Sequence, residues 1–177
     1  KLCWTPQRKT LREIKMSIEK GIAFNVNNYQ ELHRVASVIA EVGTAHAHVG
    51  IRVNPQVGAG TIQAMSTATA TSKIGIAMHD VSVSDLVELF RDRAWLRRLH
   101  CHGGSQGCSL ELMTSGVRRT VDLALTINEE LFRRQINVID IGGGLPVHFD
   151  SEEVALTYQQ YAAALRATVP EAFDGTF

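Results

Sequence analysis

Two short apolar runs that break off into glycines constrain this chain more than anything else in it. One is Leu99-His100-Cys101-His102-Gly103-Gly104-Ser105-Gln106. The other, forty residues on, is Ile139-Asp140-Ile141-Gly142-Gly143-Gly144-Leu145-Pro146. Such a run is how a buried parallel strand reads, and glycines at its end let the backbone approach a neighbour closely. Three successive glycines set peptide N–H groups side by side with no side chain in front of them, which suits a phosphate. Together the runs predict a phosphorylated cofactor at the mouth of an α/β barrel.

The rest of the chain alternates to match. Thr5-Pro6 is expected to open a helix carrying Leu11, Ile14 and Ile18, stopped by Gly21. Ile22 to Val26 reads as a strand. Asn28 caps a helix with Leu32, Val35, Ala36 and Ile39 that ends at Gly43. Ala47 to Pro55 alternates, with Val49, Ile51 and Val53 on one face and His48, Gly50, Arg52 and Asn54 on the other. Gln56 to Thr71, rich in Gly, Ala, Ser and Thr, reads as a long functional loop. Ile74-Gly75-Ile76 is a short irregular strand. Ser84 is expected to cap a helix with Leu86, Leu89 and Phe90, followed by a strand over Arg97 to His102. Ser109 opens a long helix ending near Arg134, and Asn137 to Ile141 is a strand. Ser151 is expected to begin the last helix, whose stripe of Val154, Tyr158, Tyr161 and Leu165 reads as core. Repeated strand–helix units mean a parallel sheet, here part of a (β/α)8 barrel.

Composition narrows the function classes. Lys plus Arg and Asp plus Glu number 18 each, so no basic excess points to nucleic acid or an anionic membrane. No apolar run approaches the roughly 20 residues of a membrane span, and Lys1 to Lys20 is too charged for a signal peptide. Cys3, Cys101 and Cys108 are too few for a disulfide framework and read as packing residues of a cytoplasmic protein.

Strand parity collects the candidate site residues. Arg52 lies on the polar face of its strand, where a barrel places its interior. His100 and His102 share a face opposite Leu99 and Cys101. The glycine triplet is either a phosphate turn or a tight connection that needs positive φ. His102 either stacks on a flat cofactor or is a hydrogen-bonded core histidine, and Ser105 could donate to a phosphate. His100, His102 and Asp140 could alternatively hold a metal ion in a barrel hydrolase. His46-x-His48 lies at a strand start and reads as structural. Lys73 reads as an ion-pair residue. Arg97-Arg98, Arg118-Arg119 and Arg133-Arg134 read as solvated pairs.

In order, Arg52-Val53-Asn54-Pro55, Ser72-Lys73-Ile74-Gly75-Ile76, His102-Gly103-Gly104-Ser105-Gln106 and Asp140-Ile141-Gly142-Gly143-Gly144 resemble a known family. It is the alanine-racemase-fold, pyridoxal-phosphate-dependent decarboxylases, above all the diaminopimelate branch. Phe24-Asn25-Val26-Asn27-Asn28 with Glu31-Leu32 fits the same pattern. The resemblance implies pyridoxal 5′-phosphate as cofactor. His102 would stack on its ring, Ser105 and the backbone of Gly142, Gly143 and Gly144 would hold its phosphate, and Arg52 would line the wall near the ring. It implies an amino-acid substrate of the diaminopimelate, ornithine or arginine group, and a homodimer in the full-length enzyme, with Lys73 at the interface. A non-catalytic homologue that pairs with an intact subunit would carry the same motifs.

The family anchors its cofactor through a lysine in a pattern close to A-x-K-A-N. None of Lys1, Lys9, Lys15, Lys20 or Lys73 has that context, so no catalytic residue is identified. Residues 1–177 are expected to be the central part of the barrel domain, without its first strand, last strand and C-terminal β domain, and to support little decarboxylation alone.

Overall fold

The computed structural model describes residues 3–4, 8–57, 74–102, 108–146 and 156–177. Six strands run parallel throughout: β1 (Cys3–Trp4), β2 (Ala23–Val26), β3 (Val49–Asn54), β4 (Ile76–Ala77), β5 (Leu96–His100) and β6 (Val138–Asp140). Their order is β1-β2-β3-β5-β6, with β4 paired to the C-terminal end of β3. Helices α1 (Leu11–Glu19), α2 (Tyr29–Val42), α3 (Val83–Arg91), α4 (Leu110–Glu130) and α5 (Tyr158–Thr168) alternate with them. This is the expected α/β architecture of parallel strands alternating with helices.

Caps set the helix boundaries. Thr10, not Thr5, begins α1: its hydroxyl accepts the Glu13 N–H while the Glu13 carboxylate reaches back to the Thr10 N–H. That reciprocal pair satisfies two free donors at once, which a cap five residues earlier without a matching acid does not. Asn28 caps α2 as expected, and Gly43 ends it at φ +82. Ser82 rather than Ser84 caps α3, because the Ser82 hydroxyl reaches the Asp85 N–H. Ser109 caps α4, which stops at Glu130, short of the expected Arg134. The last helix starts after Thr157, again with a capping box, through Gln160. The expected cap Ser151 and the stripe residue Val154 lie outside the described residues, as does nearly all of the 56–71 loop.

The two faces of the sheet differ in chemistry. Val49, Ile51 and Val53 are buried against the helices with Phe24, Val35, Leu86, Phe90, Leu99, Val121 and Ile127. Burying each such side chain is worth about 1.5–3 kcal/mol. The opposite, concave face carries Cys3, Asn25, Gly50, Arg52, Arg98, His100 and Asp140. Cys3 on β1 donates to Asp140 on β6 at 3.3 Å, so the outer strands of the sheet meet across its interior. Only a sheet curled towards closure allows that. Tyr161 packs partly on the core from α5, whereas Tyr158 is 77% exposed and does not belong to it. Helical spacing places Tyr158 on the right stripe, but it sits in the first turn, beyond the edge of the layer.

Arg98 is the clearest departure from the sequence reading. The β3–β5 register skips a residue between Val49/Leu96 and Gly50/Arg98. The irregularity leaves Arg97 exposed and turns Arg98 inwards, where its guanidinium lies 3.6 Å from the Cys3 sulfur. Gly50 makes the room. A Cβ there would sit 2.1 Å from Asn25 Oδ1 and 2.7 Å from Arg98 Cβ. Three more of the paired arginines are engaged: Arg118 binds Asp122 and Glu171, Arg119 the Pro55 carbonyl, and Arg133 Gln135, whereas Arg97 and Arg134 are exposed as expected.

At the C-terminal end of β1 and β2, Lys9 and Glu31 form an ion pair at 3.0 Å with side chains 0% and 3% exposed. The same Glu31 oxygen accepts the Asn27 N–H at 2.9 Å. The start of α2 is thereby tied to the segment before α1.

Gly50→Ala is expected to lower stability by about 1–3 kcal/mol, because the Asn25 tip it meets is held by its own bond to Asp140. Chemical denaturation measures the loss. Adding Arg98→Gly, which removes the Cβ that the new methyl meets, should leave the double variant less destabilised than the two single losses combined, and full additivity would contradict the shared-volume account.

Candidate cofactor site

The mouth of the curled sheet is built by the ends of β3, β5 and β6. Register places Arg52 beside His100, and His100 beside Asp140. His102 follows two residues after β5, and Gly142, Gly143 and Gly144 follow β6. Four strand ends thus bring Asn25, Arg52, His100, His102, Asp140 and the glycine turn together, as parity predicts for Arg52 and the two histidines. Ser105 and Lys73, with Gly103 and Gln106, lie outside the described residues.

The glycine turn is held from inside. Gly142 (φ +52) and Gly143 (φ +80) occupy the left-handed region; Gly144 does not. A Cβ on Gly142 would lie 2.7 Å from His100 Cε1 and 2.8 Å from the Cys101 carbonyl oxygen, so both conformation and space demand glycine. Gly144 has open space in front of it. The Gly142 N–H donates to Asp140 Oδ1 at 3.1 Å, and the Gly143 N–H to His102 Nδ1 at 3.0 Å. The expectation of three amides facing outwards is therefore refined: two of them already have acceptors within the chain. Beside the turn, towards α5, lies a groove of about 510 Å3 lined by the three glycines, Leu145, Tyr158 and Tyr161.

His102 is a hydrogen-bonded histidine. Because the Gly143 amide can only donate, Nδ1 must accept, and the ring carries its proton on Nε2. Burial first, then the Arg52 cation and His100, lower its pKa below the ordinary value. Asp140 responds oppositely. Burial pushes its carboxyl up, but His100, Asn25 and Cys3 more than offset this and hold it well below the usual carboxylate range. Asn25 Nδ2 lies 2.8 Å from Asp140 Oδ2, and His100 Nδ1 lies 3.2 Å from Oδ1, close enough for charge attraction but off hydrogen-bond alignment. Arg52 is 8% exposed, and among the described residues no carboxylate lies within ion-pair distance of it. Burial lowers its pKa, with Cys101 and Asp140 opposing the shift. Gly75 (φ +84) lets the chain before β4 close over the stem of Arg52: a Cβ would be 3.2 Å from Arg52 Cγ.

The metal-site alternative loses its geometry. His102 Nδ1 is spent on Gly143, and His100 Nδ1 faces Asp140. Among the described residues no group of three or more His, Cys, Asp or Glu side chains could hold a metal ion. Cys101 is a packing residue, its thiol pushed up to about 11 by burial. His46 and His48 are exposed at the opposite end of the sheet. Sequence reasoning missed Arg98 and Asn25. Both carry the parity signal, since each is two residues from an interior position, but the irregularity at Arg97 hides the first. No helix among the described residues is long and apolar enough to cross a membrane.

What remains is a polar concavity with a neutral imidazole, a desolvated cation and a glycine turn. It suits a flat anionic ligand. Comparison with known proteins agrees. Residues 1–176 match the family described as pyridoxal-dependent decarboxylase, pyridoxal binding domain. The diaminopimelate decarboxylase of Archaeoglobus fulgidus is 30% identical over 94% of this chain and 38% of its own length. That of Pseudomonas aeruginosa is 32% identical over 89% of this chain and 37% of its own length. The crystal structure of the Methanocaldococcus jannaschii diaminopimelate decarboxylase in co-complex with L-lysine superposes with a TM-score of 0.79 at 26% identity, covering 98% of this chain and 40% of that one. The chain spans less than half the length of each of these relatives.

His102 is expected to titrate below about 6.5, the ordinary histidine value. Its neutral form then contributes stability that is full above that value and is lost as pH falls through the lower folded value. Nitrogen-15 spectra of the imidazole should show the Nε2–H tautomer, with Gly143 amide exchange speeding up once the ring is protonated. A midpoint at or above 6.5, or the Nδ1–H tautomer, would contradict this assignment.

Proposed function

The chain belongs to the pyridoxal-dependent decarboxylases, whose pyridoxal-binding domain it carries, and from that premise we propose that its concave face forms part of the active site of an amino-acid carboxy-lyase. The observation that carries the proposal is the meeting of the glycine turn, the neutral His102 ring and the buried Arg52 at one strand mouth. The fit to pyridoxal 5′-phosphate is specific. Gly142 sits where no Cβ fits, Gly144 opens to free space, and Arg52 is a desolvated cation with no ion-pair partner among the described residues.

Each residue then has a task. The imidazole of His102, kept neutral and fixed in plane by Gly143, presents its face to the pyridine ring without adding a charge. Gly142 and Gly143, their N–H groups held by Asp140 and His102, shape the turn, and its open Gly144 end with the Ser105 hydroxyl would supply donors to the phosphate. Arg52 balances anionic charge at the wall and orients it, since a buried guanidinium gains most from a carboxylate or phenolate partner. When bound, the cofactor supplies the electron sink that accepts the pair released as the carboxylate leaves. The β-barrel wall excludes water from one side, which strengthens each of these contacts.

Diaminopimelate is the favoured substrate, with ornithine and arginine as the related alternatives. Support comes from the relatives at 30–32% identity and from the Ser105-Gln106 ending of the His102–Gln106 motif. The full-length enzyme is read as a homodimer. A cytoplasmic setting accords with three free cysteines among balanced charges.

The test is a titration of the 177-residue chain with pyridoxal 5′-phosphate, followed by tryptophan quenching and ligand absorbance. Saturable binding is expected, without decarboxylation, and Arg52→Ala and His102→Ala should each weaken it by about tenfold or more. Binding that ignores both substitutions would overturn the site. For the substrate, carbon dioxide release by the full-length enzyme should favour diaminopimelate; preference for ornithine or arginine would reassign the branch.

A further inference from the structure

Asp140 is the most heavily engaged side chain at the mouth. Its Oδ1 accepts the Gly142 N–H at 3.1 Å and faces His100 Nδ1 at 3.2 Å. Its Oδ2 accepts from Asn25 Nδ2 at 2.8 Å and from the Cys3 thiol at 3.3 Å. A carboxylate offers about four lone-pair sites. Three of them accept hydrogen bonds within the chain and His100 stands against the carboxylate as well, so Asp140 is engaged chiefly by protein donors. Among its partners is the turn that would contact the cofactor.

The glycine turn needs such a partner. Gly142 and Gly143 both lie at positive φ, and glycine moves between left- and right-handed regions at little cost. Freedom of that kind works against a phosphate site, whose amides must already point at the ligand. Among the described residues, the side chains that accept from the turn are Asp140 and His102. His102 stands beyond the end of β5, whereas Asp140 is anchored to β1, β2 and β5 at once.

We infer that Asp140 is the positioning residue of the phosphate turn: by accepting the Gly142 N–H while held by Cys3, Asn25 and His100, it sets the direction of the Gly143 and Gly144 backbone without touching the phosphate. The inference rests on the reading that this turn holds the phosphate. It adds that the cradle's geometry is inherited from strands on the far side of the barrel. A loss at Asp140 should therefore fall on the phosphate end of the ligand and spare the ring end.

Pyridoxal 5′-phosphate and pyridoxal, which lacks the phosphate, distinguish the two ends. Both are titrated into the full chain and its Asp140→Ala and Asp140→Asn variants, with circular dichroism to confirm folding. Asp140→Ala should lose about 10–100-fold in affinity for the phosphorylated ligand, while pyridoxal changes by less than about 3-fold. Asp140→Asn keeps a carbonyl acceptor for Gly142 but sets an amide donor against Asn25 and Cys3, so it should fall between. Amide exchange at Gly142 and Gly143 should accelerate in Asp140→Ala without any ligand. Equal loss for both ligands, no loss in a folded variant, or unchanged exchange would overturn the inference. If Asp140→Ala does not fold, Asp140→Asn carries the same comparison. Failure of the unaltered chain to bind either ligand would instead remove the phosphate reading, and exchange at the two glycines would still decide the positioning role.

Discussion

The carboxylate of Asp140 is the point on which this structure turns. It bonds a thiol from the first strand of the sheet, an amide from the second, and the glycine turn that follows the last, and faces an imidazole from the strand beside it. The first two strands are not neighbours of the last, and only strong curvature brings their side chains within reach of it. A half-buried ionised group held by such donors loses stability when any of them is removed. Curvature, the polar lining and the placement of the turn are thus one constraint seen from three sides.

The two faces of the sheet divide the work. Towards the helices, aliphatic and aromatic side chains fill the space and supply the non-directional part of the stability. Towards the interior, arginine, histidine, asparagine and aspartate supply direction. Because Cys3, Asn25 and the Gly142 amide converge on Asp140, the interior tolerates a negative charge that an isolated strand could not hold. Burial first, and then the Arg52 cation, disfavour a positive charge on His102, while His100 and Asn25 more than offset burial and favour the negative charge on Asp140.

Much of this was legible in the chain itself. Alternation in Val49–Asn54 separated core from interior, and parity on β5 put His100 with His102. Asn28, Ser109, Gly21 and Gly43 marked helix ends through local chemistry that needs no tertiary context. Errors arose where partners compete or distance matters. Thr10 displaced Thr5 because Glu13 completes a box, and Ser82 displaced Ser84 by two residues in a serine-rich start. Arg98 reads as solvated only as half of the charged pair Arg97-Arg98, although counting back by two from His100 puts it on the interior face. The occupied amides of Gly142 and Gly143 could not be read at all, since their acceptors depend on how two loops meet.

The link between Cys3 and Asp140 spans 137 residues of sequence. On a ribosome adding about 5–20 residues per second, β1 would exist for roughly 7–27 s before β6 is made. During that interval the carboxylate that Asn25 and Cys3 share is absent, and the concave side of the growing sheet stays open. Sealing of the pocket is therefore a late event in biogenesis, and the ligand-binding end matures after the helical shell has begun to pack.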